Sequence, residues 1–109
     1  MTTPAIPEPV ASLIERVNAH DEHGFLDAFA AGGAVDDWGR IFIGRDAISA
    51  WSAKEFIGSH GTLTVEEVDV VGSTVTIVGD WRSNHANGRS KFIFDVDGDR
   101  LAKMTIREG

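Results

Sequence analysis

The chain contains no cysteine and no tyrosine. Without cysteine there is no disulfide, no thiol nucleophile and no cysteine-based zinc site. Without tyrosine, every mechanism that needs a phenol as proton donor or oxyanion partner is excluded. Proline is scarce, at three residues, and two of them fall within residues 1–8. No apolar run approaches the about 20 residues of a membrane-spanning helix. Basic residues number ten against 17 acidic ones and form no run, giving a formal charge of −7. Neither nucleic acid nor an anionic membrane surface is therefore an expected partner, since both demand clustered Lys and Arg. The four histidines, His20, His23, His60 and His85, lack the paired spacing of a metal site, so no metal is indicated. The opening residues lack the basic region and apolar core of a signal peptide, and a cytoplasmic protein is expected.

What is present is one ordinary globular domain of 109 residues with 42% hydrophobic content. Residues 1–8 read as a flexible leader. Val10, Leu13, Ile14 and Val17 repeat at helical spacing and predict a first helix from near Pro9. Asp21 is a good N-cap for a second, shorter helix burying Phe25, Leu26 and Phe29, which Gly32-Gly33 would end. A hairpin follows, Ala34–Trp38 and Arg40–Ile43, turning at Gly39. A third helix turns Ile48, Trp51 and, less regularly, Phe56 inward.

From Thr62 the pattern switches to period two. Leu63, Val65, Val68 and Val70 mark one strand, with a phase break at Glu66-Glu67 that suggests a bulge. Val75, Ile77 and Trp81 mark the next, with Gly79 on the same face contributing no side chain. That gap admits a ligand, or a helix side chain fills it. Phe92, Phe94 and Val96 mark a third strand, and Ala102, Met104 and Ile106 a fourth. The opposite face carries Thr74, Thr76, Val78, Asp80, Arg82, Lys91, Ile93, Asp95, Leu101, Lys103 and Thr105, a mixture that suits a solvated face or a homodimer interface. Helices first and strands after read as α+β. The expected architecture is a cone-shaped, curved antiparallel sheet, made of the short hairpin plus a four-stranded meander. It wraps three N-terminal helices over residues 9–109 and encloses a pocket.

Asn18-Ala-His-Asp21 with Phe25-Leu26-Asp27-Ala28-Phe29, Ala34-Val35-Asp36-Asp37-Trp38, and Gly44-Arg45-Asp46-Ala47-Ile48 look like successive local words of one family. Nearly the whole chain resembles the nuclear-transport-factor-2-like superfamily, in particular its SnoaL-like branch. The resemblance implies a cone fold with a pocket between sheet and helices; this fold hosts isomerases, dehydratases, cyclases, epoxide hydrolases and binding modules. In ketosteroid-isomerase-like members a general-base aspartate lies on the first strand, which matches Asp37. Their oxyanion donors, a tyrosine and a protonated aspartate, fall by rough placement on Leu13 and Ser90, so both donors are missing here. The branch that pairs tyrosine with histidine lacks its tyrosine. The Asp-Arg-Asp network of epoxide hydrolases has Asp37 as a match, but Arg82 and Asp80 fall on the opposite strand face.

Asp37 lies two residues from Val35 and so shares its inward face. It is either a desolvated base taking a proton from carbon beside a carbonyl, or a carboxylate bonding turn amides. Asp36 should face the other way. His60 is either a second acid or base at a pocket wall or a solvated loop histidine. Trp38 and Trp81 offer indole donors and flat walls, and Trp51 reads as core. Ser90, Phe92, Met104 and Ile106 lie at inward positions, where they line a cavity or fill it, and Leu13 and Phe56 join that lining. Two functions result. The first is a cofactor-free isomerase, cyclase or dehydratase acting on a small hydrophobic carbonyl compound through Asp37, with His60 or an indole N–H on the oxyanion. The second is a ligand-binding or dimeric structural module that pairs through its outer sheet face. A partner-binding role through an exposed apolar rim is a third.

Overall fold

The apolar spacing from Val10 onward does build a helix. The computed structural model describes residues 5–109, so residues 1–4 of the leader lie outside the described residues, while Ile6 packs against the core. The elements are α1 (Val10–Asn18), α2 (Glu22–Asp27), β1 (Phe29–Asp37), β2 (Arg40–Ile43), α3 (Arg45–Glu55), a 3-10 turn (Ile57–Ser59), β3 (Thr62–Val71), β4 (Thr74–Arg82), β5 (Asn87–Asp97) and β6 (Arg100–Glu108). Asp21 caps α2 by accepting the Gly24 N–H at 3.0 Å.

The six strands form one curved, unclosed sheet in the order β2-β1-β6-β5-β4-β3. All neighbours are antiparallel except β1 and β6, which run parallel, so the sheet is mixed. The parallel pair arises because β2, α3 and three further strands intervene before β6 returns beside β1, the long crossover that parallel pairing requires. Val10, Leu13, Ile14 and Val17 of α1 pack with Phe25 of α2 and Trp51 of α3 against Val75, Ile77, Trp81, Phe92, Phe94 and Met104 from the sheet. Among the described residues no helix is long and apolar enough to cross a membrane.

Three local expectations are corrected. Phe29 does not belong to α2 but opens β1, and Gly32-Gly33 does not end a helix. The glycine pair instead sits in an irregularity of the strand, where the pairing of β1 with β6 slips between Phe29 and Ala34 and Gly32 has a φ of +76°. Leu101 is not on the outer face. A register shift beside Val96 turns it inward, where it is fully buried and Ala102 is left exposed. The gap at Gly79 takes neither a ligand nor a helix side chain. Strand β3 crosses so closely there that a side chain would collide with the Thr64 carbonyl, at the bulge between Val65 and Glu67 that the phase break predicted.

Candidate functional site

Asp37 and Arg40 end β1 and begin β2 as direct cross-strand partners. The two-residue turn between them has both φ values positive, +54° at Trp38 and +92° at Gly39, as a type I′ hairpin requires. Trp51 and Glu55 lie one turn apart on α3, so their side chains leave the helix on one face. That face meets the hairpin end. The Trp51 indole donates to Oδ2 of Asp37 at 3.0 Å, and the Arg40 guanidinium donates to the same oxygen. Arg40 also grips Glu55 with two hydrogen bonds, at 2.7 and 3.1 Å, the paired geometry that suits guanidinium and carboxylate. His85, from the β4–β5 connection, places Nε2 3.1 Å from Oε1 of Glu55. Asp37, Arg40, Glu55 and His85 thus form one polar chain drawn from four segments.

The Asp37 carboxylate is 14% exposed, and only its Oδ2 is engaged. Oδ1 accepts no hydrogen bond from the described residues and is not a buried atom. The Arg40 hydrogen bond holds the Glu55 carboxyl below its ordinary value, against the opposing effect of burial and with help from Arg40 and His85 charge. In turn Glu55, and after it Asp37, hold the Arg40 guanidinium above its usual range. Asp36 faces the outer side as expected, yet it is only 7% exposed. Arg107 covers it with hydrogen bonds at 3.0 Å to each oxygen, and the Gly39 N–H adds another at 2.8 Å. Arg107 is the main reason its carboxyl sits below the ordinary value.

Around this chain runs a file of aromatic rings. Phe42 stacks on Trp51 at 5.8 Å, Trp51 on Phe56 at 5.0 Å and Phe56 on Trp81 at 4.9 Å, and Phe92 follows at 5.9 Å. Phe56 lies nearly parallel to both tryptophans, at 18° and 10°. It is carried at the C-terminal end of α3 by a pinned turn. Its carbonyl accepts from the Ser59 hydroxyl at 2.6 Å, and its own N–H donates to the Ser52 carbonyl at 3.0 Å. The Ser52 hydroxyl donates to Glu22 at 3.2 Å.

The structure divides the expected lining residues into two groups. Leu13, Phe56, Trp81, Phe92 and Met104 surround the space between helices and sheet, which amounts to about 10 Å³, room for about one water molecule. The rings of Phe56, Trp81, Phe92 and Phe94 fill the rest. Trp38 and Ser90 instead line an outer cleft of about 440 Å³, which Trp81 also borders. Ile106 is buried in the core and lines neither space. Trp81 is therefore the wall between the closed interior and the open cleft. Its indole N–H has no acceptor among the described residues and is not buried.

His60 joins neither group. It packs edge-on against His20, with ring centres 5.2 Å apart. His85, not singled out from the sequence, is the histidine connected to Asp37, through Glu55 and Arg40. Arg40 and Glu55 were also missed, although two signals pointed to them. Arg40 faces Asp37 across a two-residue turn, and Glu55 lies four residues beyond Trp51. His85 sits in a polar connection with no periodicity to place it. Among the described residues no group of three or more His, Asp or Glu is arranged to hold a metal ion.

No protein-family model and no curated protein matches the chain. Solved structures do. A protein from Sphaerobacter thermophilus is 31% identical, with 90% of each chain covered and a TM-score of 0.75. A candidate polyketide cyclase from Sinorhizobium meliloti is 19% identical over 94% of this chain and 95% of its own, with a TM-score of 0.82. A nuclear-transport-factor-2-like protein of unknown function from Cytophaga hutchinsonii is 10% identical over 97% and 93%, with a TM-score of 0.79. With its helices laid on a curved six-stranded sheet, the chain has the α+β cone fold of these nuclear-transport-factor-2-like structures.

Proposed function

We propose that this protein binds a small hydrophobic molecule, flat enough to lie among the rings at the Trp81 end of its sheet. The observation that carries this reading is the position of Trp81, stacked on Phe56 on one side and bordering an open cleft of about 440 Å³ on the other. Small-molecule sites are concave, mostly apolar and furnished with a few polar groups. Here the free indole N–H of Trp81 and the Ser90 hydroxyl supply such groups. A flat ring can rest against Trp81 from the cleft, or take the place of Phe56 between the two tryptophans. The fold shared with a candidate polyketide cyclase supports a small-molecule role. Calorimetric titration with 1-naphthol tests it. Saturable binding that Trp81→Leu abolishes supports the reading; no heat of binding in the wild type or in Phe56→Ala rejects it.

A second reading, catalysis with Asp37 as general base, is favoured by the free Oδ1 atom. Trp51 and Arg40 fix the carboxylate through Oδ2, and Oδ1 would take a proton from carbon beside a carbonyl. The developing oxyanion needs a donor, which the free Trp81 indole would supply, since His60 packs against His20 away from both spaces. No cofactor enters this scheme. Turnover of a bound carbonyl compound that Asp37→Asn abolishes, with binding retained, separates it from the first reading. Under either reading the outer sheet face, which exposes Ile41 and Ile43, pairs two copies. Sedimentation of wild type against Ile43→Lys checks this.

A further inference from the structure

The outer cleft has a chemical character that the closed interior lacks. Its rim carries Trp38, held with a φ of +54° and 59% exposed. A bulky residue in this left-handed conformation is rare, and Asn or Gly would suit the turn better. Strain of this kind gathers at functional sites. The ring it presents borders the cleft together with Trp81, Asn87, Arg89, Ser90 and Glu108.

The charges at the cleft do not balance. Arg89 is already engaged, donating to Glu66 at 3.0 Å and to Glu67 at 2.7 Å. Glu108 has no ion-pair partner among the described residues. Glu108 is thus an unpaired carboxylate in the cleft lining, and Arg89 is already neutralised by Glu66 and Glu67, on a chain whose formal charge is −7. An exposed indole face attracts cations through its quadrupole. The net negative charge raises the local concentration of cations.

From this combination we infer that the cleft between Trp38 and Glu108 takes a flat aromatic cation, with its ring against Trp38 and its charge beside Glu108. The inference rests on the reading that the Trp81 end is the ligand site, and it narrows the ligand to one charge class. It does not require Phe56 to move.

The test uses two probes of one shape, N-methylquinolinium and quinoline, titrated calorimetrically at neutral pH into the intact chain. N-methylquinolinium is expected to bind about tenfold more tightly than quinoline. Glu108→Gln is expected to remove most of that preference while leaving quinoline unchanged, and Trp38→Ala to weaken the cation about tenfold. Both positions are exposed, so neither variant endangers the fold. Raising the salt should weaken only the charged probe. Equal binding of the two probes, with Trp81→Leu abolishing both, overturns the charge inference and leaves the site reading standing. Cation binding that ignores both Glu108→Gln and Trp38→Ala overturns the inference as well. No binding of either probe overturns inference and site together.

Discussion

Trp51 donates its indole N–H to Asp37 at 3.0 Å, on the carboxylate oxygen that Arg40 also holds. Helix α3 and the β1–β2 hairpin are joined through that one oxygen, while the other stays open. Trp51→Phe keeps a ring in the aromatic file but removes the donor and part of a buried side chain. The lost hydrogen bond and the space left behind together are expected to lower stability by about 2–3 kcal/mol, read from urea unfolding, with the m-value unchanged.

Phe56 fills a slot between two parallel tryptophans. Phe56→Ala is expected to destabilise the fold by about 3–5 kcal/mol through the lost contacts and the cavity left behind. The new space would adjoin the small void lined by Leu13, Trp81 and Met104 and stay dry, because its walls are apolar. Thermal unfolding should therefore show stabilisation of Phe56→Ala, but not of Leu13→Val, by added indole.

Trp38 holds a backbone conformation that Asn adopts at lower cost. Trp38→Asn is expected to raise stability by about 1 kcal/mol while weakening binding of aromatic cations about tenfold. Urea midpoints and calorimetry on one variant check both halves, and a loss of stability would remove the argument from strain.

Asp36 and Glu55 both have folded-state carboxyl values below the ordinary ones of 3.8 and 4.5. A carboxylate depressed in this way stabilises the fold above its unfolded value, and the contribution disappears as pH falls through the folded value. Stability should be level down to about pH 5 and fall below it. Asp36→Asn, which weakens the pairing with Arg107, should make that acid limb shallower. Urea unfolding across this range is the check, and an unchanged slope in Asp36→Asn contradicts the assignment.

The sequence made parts of this legible because they obey local periods. The stripe Val10, Leu13, Ile14 and Val17, the cap Asp21 and the shared face of Val35 and Asp37 follow from spacing alone. The bulge after Val65 showed as a break in phase. Phe29 is buried as expected but opens a strand instead of closing a helix, since either element turns it inward; Leu101 went astray because one inserted residue beside Val96 turns it to the other face. The filled interior could not be read either. Alternation shows that Phe92, Trp81 and Met104 point inward, and only packing shows that they meet with about 10 Å³ to spare. The bond from Asp37 to Trp51 spans 14 positions. Period-two and helical patterns place each residue on a face but do not bring the two faces together.

The central claim is that a flat molecule binds at the Trp81 end. The most direct measurement is a ¹H–¹⁵N titration with 1-naphthol, following the three indole N–H signals. The Trp81 and Trp38 signals are expected to shift saturably, because both residues line the cleft. The Trp51 signal, tied to Asp37, should move little. Saturable shifts confined to the groove of about 530 Å³ between α1 and α2, at Ser12 and Gly24, or no shift of any indole, would contradict it.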